Sequence, residues 1–152
     1  MAEHIKNVTF LGSLQQDRLR ALYRHAIAVL VPSICYEVFG IICIEAFTQQ
    51  TPVIVNDLGG LHDVIEESQG GFAYRTREQL LDAMERLRTN PTLRREKGEL
   101  GYRTYVARWS EEAHLDTYFR LLAETAQRKF GFVPWNETGA EIAETSALVG
   151  RK

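Results

Sequence analysis

The sequence predicts an α/β fold built on a parallel β-sheet. Three short apolar runs, Val8–Leu11, Ala28–Val31 and Pro52–Val55, each end at residues that favour a turn. Helical patterns separate the runs, and strands that alternate with helices form parallel sheets because a parallel connection needs a long crossover. Such sheets bind ligands at the carboxyl ends of their strands. The loops that follow these runs are therefore where a functional site is expected.

Each predicted element is bounded by residues that start or stop regular structure. Asp17 can cap a helix, because a carboxylate accepts hydrogen bonds from the N–H groups at a helix start. Gly59-Gly60 and Gly70-Gly71 mark turns. Before Thr76, the predicted elements are a strand at Val8–Leu11, a helix capped by Asp17, a strand at Ala28–Val31, a helix from Gly40 to about Gln49, a strand at Pro52–Val55, a helix at Leu61–Glu67 and a strand at Phe72–Tyr74.

From Thr76 onward the apolar residues recur at helical spacing only. This pattern predicts a helix at Arg77–Thr89, a second from Pro91 to about Trp109, and a third that starts at Ser110. Past Phe130 the pattern gives way to small and polar residues. We predict one domain over residues 1–130, closed by these C-terminal helices, and a mobile tail over residues 131–152.

Composition excludes several classes of protein. The chain has 152 residues, is 45% hydrophobic and carries a net charge of −2, with no basic stripe, so nucleic acid is not expected as a partner. Two cysteines, Cys35 and Cys43, do not make a disulfide scaffold and are interpreted as packing residues. No signal pattern or membrane-length apolar stretch is present. We predict a cytoplasmic location, compatible with peripheral binding at the inner membrane face.

The loop and helix after the second apolar run carry the residues best suited to bind a ligand. Glu37 lies in the loop, and Gly40 begins a helix whose unpaired N–H groups can face an anion such as a diphosphate. Glu45, about one and a half turns into that helix, can reach hydroxyl groups beside the same phosphates. We expect both glutamates to open onto one cavity. This arrangement suits a ligand that is phosphorylated and rich in hydroxyls, such as a nucleotide sugar.

The same stretch resembles a known family. Pro-Ser-x-x-x-Glu-x-Phe-Gly-x-x-x-x-Glu-Ala, which begins at Pro32, is similar to the signature of the retaining glycosyltransferases called group 1 or family 4, which have the two-lobed GT-B fold. Further landmarks similar to the family's occur in order at Val8–Gly12, Pro52–Gly60 and Trp109–Glu111. The resemblance runs from about Val8 to Leu122. It implies a Rossmann-like parallel sheet that forms part of the C-terminal, donor-binding lobe of a GT-B fold.

The resemblance implies a hexosyltransferase. Such an enzyme moves a hexosyl unit, with retained anomeric configuration, from a nucleotide diphosphate sugar to a sugar or lipid-linked acceptor, in cell-surface polysaccharide, lipopolysaccharide or glycoconjugate synthesis. Glu37 would be the catalytic residue, in contact with the donor sugar, and Glu45 would bind the ribose. The resemblance implies further contacts to the donor. Gly12 and Leu14 would border the base, and the sugar and diphosphate would be held by the backbone N–H groups of Phe39, Gly40, Ile41 and Ile42. No cofactor and no metal are implied, and the chain has no Asp-x-Asp motif.

The chain departs from the family's pattern, above all at its start. The family's donor lobe begins two strands earlier, with a loop whose Arg and Lys bind the diphosphate, and nothing before Val8 supplies them. His62-Asp63 also stands where Pro-Glu is common. Removing one charge-stabilising donor slows a reaction by about 10²–10³-fold. We therefore expect this chain alone not to catalyse transfer, and to be a fragment, a truncated gene product or part of a two-chain enzyme.

The sequence leaves other interpretations open. One is a non-catalytic nucleotide-sugar-binding or interaction module left after loss of the acceptor lobe, and another is a different GT-B enzyme, such as a phosphorylase or an epimerase. Glu37 and Glu45 can also be read as solvated acids. In the family, the two absent strands lie between those at Val8–Leu11 and Ala28–Val31. Because an unpaired strand edge promotes association, we expect self-association or dependence on a partner.

Overall fold

The structure, a computed structural model, describes residues 5–133. The predicted tail over residues 131–152 lies outside the described residues from position 134 onward. Strands and helices alternate in the first half of the chain, as its apolar runs predict. The elements are α1 (Gln16–His25), β1 (Val29–Val31), α2 (Ile41–Thr48), β2 (Val53–Asn56), α3 (Gly60–Ser68), β3 (Gly71–Tyr74), α4 (Arg77–Thr89), α5 (Pro91–Thr104), a π-helical segment (Tyr105–Trp109) and α6 (Glu111–Phe130).

The three strands form one parallel sheet in the order β1-β2-β3. Val29 of β1 pairs with Val53 of β2, and Val53 pairs with Gly71 of β3. The amino ends of the three strands therefore lie along one side of the sheet, and their carboxyl ends lie along the opposite side. β2 is the central strand, and its first three residues are buried. The predicted α/β class with a parallel sheet is confirmed.

The predicted strand at Val8–Leu11 is wrong. This segment pairs with no strand among residues 5–133, and within that range β1 pairs only with β2. Its apolar side chains are correspondingly open to solvent, with Val8 43%, Phe10 70% and Leu11 53% exposed. An extended segment gains ladder hydrogen bonds only where another strand lies beside it. The apolar run alone could not supply that neighbour.

Helices cover both faces of the sheet. Ile54 of β2 is buried and packs with Ala83 and Leu87 of α4. Because successive side chains of a strand point to opposite faces, Val53 and Val55 point away from α4, and α2 and α3 contact β2 as well. This two-sided cover explains why β2 is a continuous apolar run rather than an alternating one.

Two glycines let α5 approach α2 closely. A Cβ on Gly98 would overlap the carbonyl oxygen of Gln50, and one on Gly101 would overlap the ring of Phe47. Phe47 is fully buried as a result. Glycine inside a helix costs roughly 0.5–1 kcal/mol relative to alanine, and here the close packing of Phe47 offsets that cost. This contact secures α2, whose first turn borders the candidate site.

The helix starts agree in part with the sequence interpretation. α1 begins at Gln16, so Asp17 lies in its first turn and is not its cap, which corrects the predicted role. Ser110 does cap α6, since its hydroxyl oxygen accepts the backbone N–H of Ala113 at 3.2 Å. An acidic side chain in the first turn still stabilises α1 through the helix dipole.

The chain divides into two compact units between Ala107 and Arg108. The first contains the sheet and helices α1 to α5, and the second contains α6. Over residues 5–133, no helix has both the length and the apolar content needed to cross a bilayer. The candidate site lies entirely within the first unit.

Candidate functional site

The loop between β1 and α2 is fastened to the carboxyl end of β2. The Asn56 side-chain amide, at the end of β2, donates to the backbone carbonyl of Ser33 at 2.8 Å. The Ser33 hydroxyl in turn donates to the Glu37 carboxylate at 2.7 Å. Asn56 and Ser33 thus connect the ends of two adjacent strands, and the second bond fixes the direction of the Glu37 side chain. The structure places Glu37 at the sheet edge where the sequence predicts a site.

The glycine pair after β2 holds the main chain of the same loop. Gly60 donates its backbone N–H to the Glu37 carbonyl at 2.8 Å. A Cβ on Gly59 would lie 2.9 Å from that carbonyl oxygen, and one on Gly60 would overlap the carbonyl of Val38. Gly59 also has a φ of +59°, which L residues with side chains rarely adopt. Glycine is therefore required at both positions, and the pair positions Glu37 through its backbone.

The start of α2 follows directly from this loop. Gly40 precedes the first helical residue and is packed so closely that a Cβ would lie 2.6 Å from Leu61. The Ile41 N–H donates to the Phe39 carbonyl at 2.9 Å, so it can reach a ligand only if this turn opens. Ile42 lies too near the helix start for an intrahelical acceptor, because the residue four positions earlier precedes the helix. Four predicted donor-binding residues therefore form one continuous turn beside Glu37.

Glu45 lies on α2 against the start of α1. Its carboxylate accepts a hydrogen bond from the Gln16 side chain at 2.9 Å. Burial raises the pKa of the Tyr23 hydroxyl, and the nearby Glu45 carboxylate raises it further. Gln16, the residue bonded to Glu45, lies two positions after Leu14 in the sequence. The hydrogen-bond partners of Glu45 and Glu37 are different segments, and a shared cavity stays a prediction.

The segment before α1 has a conformation that depends on glycine. Gly12 adopts a φ of +65°, in the left-handed region. Leu14 lines a cavity of about 310 Å³ together with Leu11 and residues of α1, among them Leu22. An apolar cavity of this kind can accept a planar ring. Leu14 therefore occupies a position compatible with the predicted contact to a base, and for Gly12 this contact stays a prediction.

The two cysteines have opposite environments. Cys43 is fully buried in α2, and burial, together with the Glu37 carboxylate, raises the pKa of its thiol to about 12. This value keeps Cys43 protonated and unreactive, as a packing residue should be. Cys35 is exposed, so its prediction as a packing residue is wrong. The neighbouring side chains of Ile34 and Tyr36 are exposed as well, which the apolar character of the loop did not reveal.

Asp57 is the centre of a polar network that sequence reasoning missed. Its carboxylate accepts from Arg75 Nε at 2.5 Å and contacts His62 Nδ1 at 2.6 Å. Burial alone would raise the pKa of Asp57, but hydrogen bonds from Arg75 and His62 outweigh it and lower the pKa. The network joins the loop after β2 to the turn after β3. The feature of the sequence that could have indicated this network is the polar residue Asp57 just after a buried apolar run. Asn56 could have been noticed for the same reason.

One group of side chains could offer ligands to a metal ion. His62, Asp63 and Glu66 each have a ligand atom within 4.8 Å of the others, and all three are exposed. His62 Nδ1 already contacts the carboxylate of Asp57. Exposed acids on one helix face are common without a metal, so this group does not alter the expectation that donor binding needs none.

The loop around Glu37 presents unusually exposed apolar side chains. Ile34 is 92% exposed, Tyr36 81% and Val38 97%. They flank Glu37, whose carboxylate accepts a hydrogen bond from Ser33 and whose backbone carbonyl accepts one from Gly60. Contiguous exposed apolar residues beside fixed polar groups are typical of surfaces that bind a ligand or another polypeptide.

Comparisons with known proteins point to one family of enzymes. The family model described as Glycosyl transferases group 1 matches residues 2–104. An uncharacterized glycosyltransferase of Methanocaldococcus jannaschii is 44% identical over 65 residues, which cover 43% of this chain and 16% of that protein. Alpha-D-kanosaminyltransferase of Streptomyces kanamyceticus is 30% identical over 109 residues, which cover 70% of this chain and 28% of that protein.

A solved structure supports the same relationship. Sucrose-phosphate synthase from Thermosynechococcus elongatus superposes with a TM-score of 0.67 and 30% sequence identity, over 78% of this chain and 31% of that one. This match confirms the expectation of an α/β domain that corresponds to part of a GT-B fold. The chain spans about a third or less of the length of the relatives it matches. On the family model and these matches, the chain belongs to the glycosyl transferases group 1 family.

Proposed function

We propose that this chain binds the nucleotide diphosphate sugar from which a retaining glycosyltransferase takes its hexosyl unit. The observation that carries the proposal is the placement of Glu37. Its backbone is held by Gly60, its carboxylate is held by Ser33, and it lies immediately before the first turn of α2. A carboxylate that is fixed beside a helix start suits a ligand that has hydroxyls next to a phosphate.

In this proposal the donor extends across the start of α2. Glu37 accepts hydrogen bonds from the sugar near the reacting carbon and is the catalytic residue. The ribose hydroxyls donate to Glu45, which exchanges its present bond with Gln16 for them. Gly12 and Leu14 border the base. The sugar and diphosphate accept hydrogen bonds from the backbone N–H groups of Phe39, Gly40, Ile41 and Ile42.

The leaving diphosphate is stabilised without a metal. The first turn of α2 has N–H groups without intrahelical acceptors, and the helix dipole favours negative charge at this end. The Ile41 N–H becomes available when it leaves the Phe39 carbonyl. A small opening of this turn would therefore accompany donor binding. No cofactor takes part in this scheme.

The whole reaction needs an acceptor, and this chain spans only part of its relatives. The relatives include an O-antigen chain mannosyltransferase of Salmonella typhimurium, 39% identical over 89 residues that cover 52% of this chain and 25% of that protein. We propose that the acceptor is a sugar or lipid-linked sugar in cell-surface polysaccharide, lipopolysaccharide or glycoconjugate synthesis. It is bound by a second lobe that packs over Ile34, Tyr36 and Val38. In this proposal, the transfer of the sugar takes place in the cytoplasm or at the inner membrane face.

The proposal is tested by calorimetry of the chain against several nucleoside diphosphates and their sugar conjugates. Saturable binding of a sugar conjugate, tighter than that of the corresponding diphosphate, is expected because Glu37 adds contacts to the sugar. Transfer to added sugar acceptors is not expected from residues 1–152 alone. If no nucleotide or nucleotide sugar binds, the donor-binding proposal is wrong.

A further inference from the structure

A basic cavity lies at the amino ends of the strands, and the candidate site lies at their carboxyl ends. It has a volume of about 240 Å³ and is lined by Arg24 from α1, Arg94 and Arg95 from α5, and the segment that precedes β2. Thr51 and Pro52 in that segment come directly before the first residue of β2. The cavity is therefore at the amino ends of the parallel strands. Since β2 has four residues that rise about 3.3 Å each, roughly 13 Å separates the cavity from the carboxyl-end loops.

The three guanidinium groups of this cavity form no ion pair with the described residues. Among residues 5–133, no carboxylate lies within 4.0 Å of Arg24, Arg94 or Arg95, although four other arginines do form such pairs. Of the described residues that line the cavity, none has an acidic side chain. Three like charges around one concave surface repel each other and favour an anion between them.

The hydrogen bonds that these arginines do make use only part of their donors. Arg24 donates through two nitrogens to the Gln49 side-chain oxygen at 3.1 and 3.0 Å. Arg94 donates one N–H to the Leu87 carbonyl at 3.3 Å. Since a guanidinium has five N–H donors, these bonds fix the orientation of Arg24 and Arg94 and leave further donors to face the cavity. The anchored side chains reduce the entropy lost when a ligand binds.

A helix start adds a second source of positive potential. Pro91, the first residue of α5, lines the cavity, and Asn90 caps this helix through a bond to the Leu93 N–H at 3.0 Å. The positive end of the α5 dipole therefore lies at the cavity wall, beside Arg94 and Arg95. Phosphate groups are stabilised both by helix N-termini and by the planar fork of arginine.

We propose that this cavity binds a phosphate group, separately from the donor, at the amino ends of the strands, whereas the candidate site lies at their carboxyl ends. The size of the cavity suits a phosphomonoester or diphosphate group. The group belongs either to a soluble phosphorylated molecule or to the headgroup of an anionic lipid, and both present the same oxygens to Arg24, Arg94 and Arg95. The inference stands on this arginine cluster and does not depend on the proposed donor site.

The test is a titration of the whole chain with inorganic phosphate and with pyrophosphate, followed by NMR or calorimetry at constant ionic strength. Arg95→Gln is the main variant, because the Arg95 side chain lines the cavity and makes no hydrogen bond or ion pair with the described residues, so its replacement should leave the fold intact. Arg24→Gln is a second. Each should weaken phosphate affinity by roughly tenfold, the usual effect of losing one charge-assisted hydrogen bond.

Arg20→Gln is the matched control, since it removes the same charge from an exposed position of α1 outside the cavity. Vesicles of phosphatidylglycerol, compared with phosphatidylcholine, distinguish the two sources. Arginine-dependent binding to phosphatidylglycerol vesicles indicates a lipid headgroup, and arginine-dependent binding of phosphate without it indicates a soluble ligand. Equal phosphate affinity in the wild type and in the Arg95→Gln and Arg24→Gln variants, or an equal loss in Arg20→Gln, would overturn the proposal.

Discussion

Gly60 donates its backbone N–H to the backbone carbonyl of Glu37, 2.8 Å away and 23 positions earlier in the chain. This bond joins the loop after β2 to the loop after β1. A turn that the sequence marks only by two glycines thereby positions the carboxylate that the proposal makes catalytic. The relationship explains how a parallel sheet can present a precise group on a loop, because the neighbouring loop supports it.

Gly60→Ala should displace this loop. A Cβ at Gly60 would overlap the Val38 carbonyl and lie 3.0 Å from that of Glu37, so the main chain must move. We expect a loss of about 1–3 kcal/mol in the free energy of unfolding, the usual cost of overpacking, and weaker binding of sugar-bearing nucleotides. Chemical denaturation and calorimetry measure the two effects.

Gly131→Ala is the control for Gly60→Ala. Gly131 has a φ of +78°, and no atom of residues 5–133 lies within 4 Å of an added Cβ, so the substitution introduces backbone strain without a clash in this part of the chain. It should leave nucleotide-sugar affinity unchanged. Unchanged affinity in Gly60→Ala as well would show that the glycine pair does not position Glu37.

Asp57→Asn should reduce stability in a pH-dependent way. The pKa of Asp57 is lowered in the folded chain by Arg75 and His62, so its contribution is present above the unfolded pKa of about 3.9 and is lost as pH falls through the folded value. At neutral pH we expect a loss of about 1 kcal/mol, because exposed Arg75 is partly screened by solvent. The difference should shrink below about pH 4. Asp116→Asn, on α6, is the control, and a difference that persists undiminished in acid would contradict this role.

The two thiols should differ in reactivity. A disulfide reagent at neutral pH should label one thiol of the folded chain quickly, because Cys35 is exposed whereas Cys43 is buried with its pKa raised to about 12. The rapid phase should disappear in Cys35→Ser, and Cys43 should react only on unfolding. Two rapidly labelled thiols in the native chain would mean that α2 is less well packed than the structure shows.

The sequence was informative about elements whose stability is local or central. β1 and β2 appeared as continuous apolar runs, and the predicted helix at Arg77–Thr89 has those bounds in the structure. Val8–Leu11 was predicted wrongly by the same criterion, because an apolar run does not say whether a neighbouring strand is present. Strand formation depends on pairing across the sheet, which no local pattern encodes.

The candidate site was predictable in part for a similar reason. The motif identified Glu37, Gly40 and Glu45, and the structure places all three at the carboxyl end of β1 or on the helix that follows. The residues that hold them, such as Ser33 and Asn56, act through contacts between distant segments. A single polar residue after a strand has too many ordinary explanations for sequence alone to assign that role.

The open edge of β1 should promote association. Within residues 5–133 this strand has a partner on one side only, and Leu30 is 42% exposed. We expect light scattering to show a mass that rises with concentration, and Leu30→Lys to reduce that rise, because a charge on an edge strand opposes pairing. Leu81→Lys is the control, because Leu81 is exposed on α4, and this variant should not reduce the rise in mass. A strictly monomeric chain over a wide concentration range would contradict the expectation.

Glu37 and Glu45 have different roles in the proposed donor site, and paired calorimetry distinguishes these roles. A nucleoside diphosphate and its sugar conjugate are each titrated into the wild type, Glu37→Ala and Glu45→Ala. Glu45→Ala should weaken both ligands by about 1–3 kcal/mol, since both contain the ribose. Glu37→Ala should weaken the sugar conjugate and leave the diphosphate nearly unchanged. Equal losses for both ligands in both variants would show that the two glutamates do not have these different roles.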